Sequence, residues 1–314
     1  MHTRLAPFVE ADLEIASEEF EVSAMRYGGK LDIPRLARLI YRSHATLSWF
    51  ALSHAWVTVR LSKLFRVPSV VLVGGWDVAA VPEIPYGAML TARMRRKVSW
   101  TLSAADAVVA PSEACRREAL QWTSRDVTVV PLAVDTSLFL PGGAKENSVL
   151  TVAGISHQEV IKTKGVDTFI QVARRLPGTS FEVVGVESSE WMVRLRQLAP
   201  ANVTITPWLS RSALRAKFQK HKVYAQFSAH EAFGLALAEA MACGCVPIVS
   251  DRGALPEIVK GVGRIVPYGD IDSATVAVAE ALEESGSNAA RTRVVESFSI
   301  PRRKEQLLRI LREL

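Results

Sequence analysis

A chain of 314 residues, with 49% hydrophobic and 22% charged residues, has material for two ordinary domains with real cores and is not a disordered chain. Its formal charge of +6 suits a phosphorylated ligand or an anionic membrane surface. No nucleic-acid motif and no interleaving of aromatic and basic residues accompanies that charge, so nucleic acid is not an expected partner.

The amino-terminal residues MHTRLAPFVEADLE lack the apolar core of a leader peptide. Residues 6–20 predict a helix, with Phe8, Leu13 and Ile15 set among acidic residues. Residues 20–25 alternate in the manner of a strand. After Gly28 and Gly29, residues 34–43 predict a basic amphipathic helix, 46–52 a strand, 55–65 a helix and 67–73 a buried strand. This βα alternation predicts an α/β domain. The loop that follows carries Gly74, Gly75, Trp76, Asp77, Glu83 and Tyr86, side chains suited to sugars or polar headgroups. Residues 88–102 predict a helix with Arg93, Arg95, Arg96 and Lys97 in one cluster. That cluster reads as a solvated face or as a dock for anionic lipid or an acidic acceptor. Residues 106–112 predict a strand, with a helix starting at Ser112. Pro141, Gly142 and Gly143 mark a linker, which divides an N-terminal domain, 1–140, from a second domain, 141–300.

The second domain opens with a predicted strand at 148–154 and a loop carrying Ser156, His157, Lys162 and Lys164-Gly165. A helix at 166–176 and strands at 181–186, 202–207 and 223–229 lead to the string HEAFGLALAEAMACG, residues 230–244. Within it, residues 235–243 are good helix formers, and 246–250 read as a buried strand. Glu231 therefore falls in a loop after a strand, at the carboxyl edge of a parallel sheet, where open α/β folds bind ligands. Gly234 permits close backbone approach, and the N–H groups of Phe233, Gly234 and Leu235 stand at a helix N-terminus suited to phosphate. Glu239, one turn into the helix, could reach a ribose beside that phosphate, and a buried carboxylate there needs a partner. Asp270 and Asp272 precede a helix at 273–284, where Asp is an ordinary cap rather than a metal ligand. Cys115, Cys243 and Cys245 match no zinc spacing and read as buried reduced thiols of a cytosolic protein. No G-x-G-x-x-G follows a strand, which argues against a nicotinamide enzyme.

The string EAFGLALAEAMACG resembles the E-x7-E signature of family 4 glycosyltransferases. The resemblance implies an α/β GT-B fold: two Rossmann-like domains facing across a cleft, with the helix at 301–314 packing back on the first. It implies that Glu231 contacts the donor sugar, Glu239 the nucleotide ribose and Lys164 the diphosphate, with Ser156, Lys162, Ala232, Phe233, Gly234 and Leu235 completing the donor site. Ile155 stands where the family commonly has Arg. Residues 127–139 resemble the family's interdomain passage, with Leu132 and Ala133 where Asn and Gly are common. Most GT-B chains open with a strand, and here the first element is a helix, so the first domain is expected to be reduced at its N-terminus. The acceptor side falls on Gly75, Trp76, Asp77 and Tyr86. Many family members place a His after the strand equivalent to 68–73, where this chain has glycines. Asp77 is therefore expected to turn into the cleft and align an acceptor hydroxyl, while His54 reads as a helix N-terminal residue. With Glu231, Lys164 and Asp77 as catalytic groups, the implied activity is retaining transfer of a sugar from a nucleotide-diphosphate sugar to a hydroxyl acceptor, without metal or cofactor. The acceptor is a glycan, a lipid or a small molecule, and peripheral contact with an anionic membrane is open. Two other readings stand beside this one: a catalytically weak nucleotide-sugar-binding subunit, and a nucleotide-sugar epimerase.

Overall fold

The computed structural model describes residues 6–284 and 288–314. The first five residues of the stretch read for a leader lie outside the described residues. The chain forms two compact units, Met1–Ala133 with Pro301–Leu314, and Val134–Ile300. Among the described residues, no helix is long and apolar enough to cross a membrane.

The first unit holds a parallel sheet of β1 (Thr46–Trp49), β2 (Ser69–Leu72), β3 (Ala107–Ala110) and β4 (Thr128–Val129), in that spatial order. Its helices are α1 (Pro7–Ser17), α2 (Ile33–Tyr41), α3 (Ser53–Phe65), α4 (Ala92–Ala104) and α5 (Glu113–Leu120). Residues of β2 are buried throughout, which is why they read as a continuous apolar run rather than an alternation. The strand expected at 46–52 stops at Trp49, because Phe50 turns the chain with φ 64°. The strand expected at 20–25 does not form: the segment is irregular and mostly exposed, and it pairs with no other strand. Alternation alone makes no strand when no sheet edge receives its N–H and C=O groups. Ser112 caps α5, accepting the Cys115 N–H at 3.0 Å.

The second unit holds β5 (Glu146–Ile155), β6 (Ser180–Val186), β7 (Val203–Pro207), β8 (His221–Gln226), β9 (Val246–Ser250) and β10 (Arg264–Val266). All pair in parallel, in the order β10-β9-β8-β5-β6-β7. From β5 the chain builds outward to β7, then returns to β8 on the other side. The strand order therefore reverses between β5 and β8, and that reversal opens a crevice beyond their carboxyl ends. The connecting helices are α6 (Gln158–Thr163), α7 (Val166–Arg175), α8 (Ser189–Leu198), α9 (Arg211–Lys220), α10 (Leu235–Ala242), α11 (Leu255–Val259), α12 (Ile271–Glu283) and α13 (Asn288–Ser297). Val149, Phe169, Phe181, Val223 and Ile248 are fully buried in one core, with Phe169 and Phe181 edge to face at 5.3 Å. The unit begins ahead of the Pro141–Gly143 stretch, because the Val134 N–H donates to the Phe298 carbonyl at 2.7 Å and Val134 bridges Ser299.

The last helix, α14 (Ile300–Arg312), joins the first unit through a buried ion pair. The Arg303 guanidinium donates from Nε and Nη2 to the two Asp12 carboxylate oxygens at 2.5 and 2.7 Å. Its Nη1 donates to the Val130 and Pro131 carbonyls. Both side chains are 2% exposed, so neither charge has water to fall back on. Asp12→Ala should therefore lower unfolding free energy by about 3–5 kcal/mol, because it strands a buried guanidinium. Replacing both partners by apolar residues, Asp12→Leu with Arg303→Met, should recover most of that loss. Urea unfolding measures both, and a single variant within about 0.5 kcal/mol of wild type would contradict the account.

Candidate functional site

Two loops meet at the strand-order reversal. One leaves β5, runs through α6 and ends at Lys164 and Gly165. The other leaves β8 and runs from Phe227 to Gly234. The Ala229 N–H donates to the Thr163 carbonyl at 2.9 Å and joins them. Gly165, at φ 65°, lies so close that a Cβ there would sit 2.0 Å from the Phe227 carbonyl oxygen. No other residue fits that position. The junction sets Lys164 beside Glu231, and its Nζ donates to Glu231 Oε1 at 2.6 Å. The same oxygen accepts from Gln226 Nε2 at 2.7 Å and from Ser228 Oγ at 3.1 Å. The side chain of Glu231 is 11% exposed and that of Lys164 33%, so the pair stands at the rim of the crevice.

The Glu231 loop is fastened on its far side as well. Its carbonyl accepts the Ala254 N–H at 2.9 Å, and a Cβ on Gly253 would sit 2.3 Å from the same oxygen. Ser250 Oγ donates to the Ser228 carbonyl at 2.5 Å. Phe233 is buried edge to face on Phe298 at 5.3 Å. Gly234, at φ 97°, starts α10, and no side chain caps that helix. The N-terminal N–H groups of α10 thus follow Glu231 directly, with Leu235 in the first turn.

Glu239 lies one turn further and is 6% exposed. Its partner is Arg211, at the start of α9, whose Nη2 stands 3.6 Å from Oε1. Burial outweighs that guanidinium and pushes the Glu239 carboxyl up to about 7. Arg211 was not singled out by the sequence. A buried carboxylate announces that it needs a partner, but nothing in the spacing says which of many Arg residues supplies it. Gln226 and Ser228 were missed for the same reason.

Ser156 and His157 are exposed and bonded to each other at 2.8 Å. Lys162 is exposed on α6, and Ile155 is fully buried at the end of β5. Of the polar groups expected in this loop, the structure joins only Lys164 to Glu231. Asp270 caps α12, accepting the Ser273 N–H at 3.0 Å, and Asp272 pairs with Arg175. Among the described residues, no three His, Cys, Asp or Glu side chains group as metal ligands do. Cys115, Cys243 and Cys245 are buried and form no disulfide, and burial pushes the Cys243 thiol up to about 12.

In the first unit, the expectation for Asp77 needs correction. Its side chain is buried, and its oxygens accept the N–H groups of Ala51, Gly74 and Gly75 at 2.7, 3.0 and 2.9 Å. A flexible glycine pair does precede it, but those glycines turn their N–H groups inward to hold the carboxylate. Asp77 builds the loop and does not offer itself to an acceptor. Gly75 is buried at φ 106°, Tyr86 is half-buried and bridges Val81, and Trp76 is 44% exposed. His54 lies in the first turn of α3, its Nε2 2.6 Å from the Trp49 carbonyl.

Residues 147–296 match the family model for glycosyl transferases group 1, and residues 10–138 match that for Glycosyltransferase Family 4. The chain is 30% identical over 249 residues to alpha-maltose-1-phosphate synthase of Mycobacterium tuberculosis, a match covering 67% of this chain and 64% of the relative. The chain thus spans slightly less than two thirds of that relative's length. It is 28% identical to D-inositol 3-phosphate glycosyltransferase of Mycobacteroides abscessus, over 54% of this chain and 42% of the relative. Among solved structures, HepE of Anabaena with UDP-glucose superposes with a TM-score of 0.81 at 15% identity, covering 100% of this chain and 98% of that one. Sucrose-phosphate synthase of Thermosynechococcus elongatus gives 0.72 at 17% identity, over 93% and 82%. These likenesses show the GT-B fold.

The position of Glu239 gives a pH dependence. A carboxyl whose folded pKa lies above its unfolded value of about 4.5 keeps an extra proton in the folded state up to about 7. Stability should fall as pH rises through that window and level off above it. Glu239→Gln, neutral throughout, should lack this decline and gain on wild type by up to about 3 kcal/mol across the window. Urea unfolding at stepped pH reads the difference, and a difference that stays flat with pH would contradict the assignment.

Proposed function

We propose that this chain, which belongs to glycosyltransferase family 4, moves a sugar from a nucleotide-diphosphate donor to a hydroxyl acceptor, with retention at the anomeric carbon. The observation that carries this reading is the Lys164–Glu231 pair at the strand-order reversal, directly ahead of the uncapped N-terminus of α10. A nucleoside diphosphate leaving group gains negative charge in the transition state. Fixed donors aimed at that charge stabilise it without reorganising. Lys164 supplies a full positive charge, and the N–H groups from Phe233 to Leu235 supply the positive end of the helix. Glu231, freed in part from Lys164 when the diphosphate takes the ammonium, orients the sugar hydroxyls. Glu239 receives the ribose, and Arg211 shares its carboxylate. This scheme uses no metal and no cofactor.

The donor class also rests on what a similar fold holds, since the HepE structure was solved with UDP-glucose. Three buried cysteines outside any disulfide suit a reducing cytoplasm as the place of action. Trp76 and Tyr86, on the loop after β2, remain the groups assigned to the acceptor, whether glycan, lipid or small molecule.

Purified protein screened against a panel of nucleotide sugars should release nucleoside diphosphate from at least one of them, and turnover should persist in a chelator. Lys164→Ala should lower kcat by about 100-fold or more, the cost of removing one preorganised donor. Glu231→Ala should depress turnover far more than nucleoside diphosphate affinity. Tight donor binding with no transfer to any acceptor would instead mark a binding subunit. A product altered within the donor sugar would mark an epimerase.

A further inference from the structure

In the first unit, α3 packs between α2 and α4. None of the three helices contains a carboxylate. Between Ile33 and Ala105 the chain has ten Lys and Arg against two carboxylates, the buried Asp77 and Glu83 on the loop after β2. The chain's net charge of +6 is therefore concentrated on this segment. Acidic partners in the rest of the unit go to Arg116, Lys304 and Arg312.

The outward stripes of α3 and α4 mix these cations with large apolar groups. On α3, Trp56, Arg60 and Leu64 follow at four-residue spacing, so they share one face. On α4, Arg93, Arg96 and Trp100 do the same at helical spacing. The Trp56 and Trp100 rings meet at 6.2 Å, and the Arg60 guanidinium lies 4.7 Å over the first and 5.6 Å from the second. Lys97 Nζ stands 5.5 Å over Trp56. Leu64 and Tyr41, at the ends of α3 and α2, are each 72% exposed. A dissolved polyanion would give a basic surface no use for exposed leucine and tyrosine. A lipid surface uses both, taking cations at the phosphates and aromatic and aliphatic groups at the headgroup boundary.

We propose that the face formed by α2, α3 and α4 docks the protein on an anionic lipid bilayer. Arg60, Arg93, Arg96 and Lys97 meet headgroup phosphates, and Tyr41, Leu64 and Trp100 enter the interfacial layer. This goes beyond the transfer reading and stands apart from it, since docking needs neither donor nor acceptor.

The test is co-sedimentation of the full chain, without nucleotide sugar, with phosphatidylcholine vesicles and with vesicles that also contain phosphatidylglycerol. The protein should bind the anionic vesicles and not the neutral ones, with binding weakened by salt and tryptophan emission shifted to the blue. The variant Arg60→Glu with Arg96→Glu and Lys97→Glu should bind anionic vesicles at least about tenfold more weakly. The variant Leu64→Ser with Trp100→Ser should also lose vesicle affinity while its retention on heparin stays unchanged. Absence of binding by wild type to anionic vesicles, or equal binding to neutral ones, overturns the proposal without touching the donor site and needs no variant to fold. Vesicle binding that ignores Leu64 and Trp100 but matches heparin binding overturns it in favour of a soluble polyanion.

Discussion

A carboxylate at the rim of a crevice has to be held, and the Lys164 ammonium on Glu231 is what the second unit arranges around. Gln226 and Ser228 add two more donors to the same oxygen. A cluster of this kind is stable only if its loops cannot drift. Gly165 against the Phe227 carbonyl, and Gly253 against that of Glu231, close both sides without side chains in between. The strand order supplies the rest. Because the sheet reverses between β5 and β8, the two loops diverge from neighbouring strands and leave a crevice that the pair can line. Under the proposed reading, the Lys164 ammonium on Glu231 and the N-terminus of α10, which follows Glu231 in the chain, supply the complement to a diphosphate.

Glu239 extends the same logic inward. Its helix is otherwise apolar and is buried from Leu237 onward, so the carboxyl pays a desolvation cost that Arg211 at 3.6 Å offsets only in part. The group is left close to the midpoint of its titration near neutral pH. A carboxyl in that state can accept a hydrogen bond from a ribose hydroxyl or donate one to it. The first unit solves an analogous problem differently. Arg303 and Asp12 are both buried, and four hydrogen bonds hold the guanidinium, two to the carboxylate and two to the Val130 and Pro131 carbonyls.

Much of this was legible from sequence because β6, β8 and β9 of the second unit are buried on both faces. Residues 246–250 read as a strand and form one over the same residues, and 235–243 read as a helix that ends one residue earlier. The resemblance carried by residues 231–244 reached the fold and the family. What was not legible depends on partners distant in the chain. Residues 20–25 alternate like a strand, yet neither sheet pairs with them. Asp77 after two glycines reads equally well as an outward or an inward side chain, and one of the N–H groups that hold it inward, that of Ala51, lies 26 positions away. Arg211 and Gln226 have ordinary local sequence, and their roles appear only when α9 and β8 are brought beside the central loop.

The central claim is that Lys164 and the start of α10 hold a diphosphate. Calorimetric titration of nucleoside diphosphates into the wild-type chain and into Lys164→Met tests it most directly. Met keeps the length and apolar stem of the side chain and removes the charge. The account predicts measurable binding of at least one nucleoside diphosphate by wild type, and a loss of about tenfold or more in Lys164→Met, in line with a charge-assisted hydrogen bond. Equal affinity in the two proteins would contradict it.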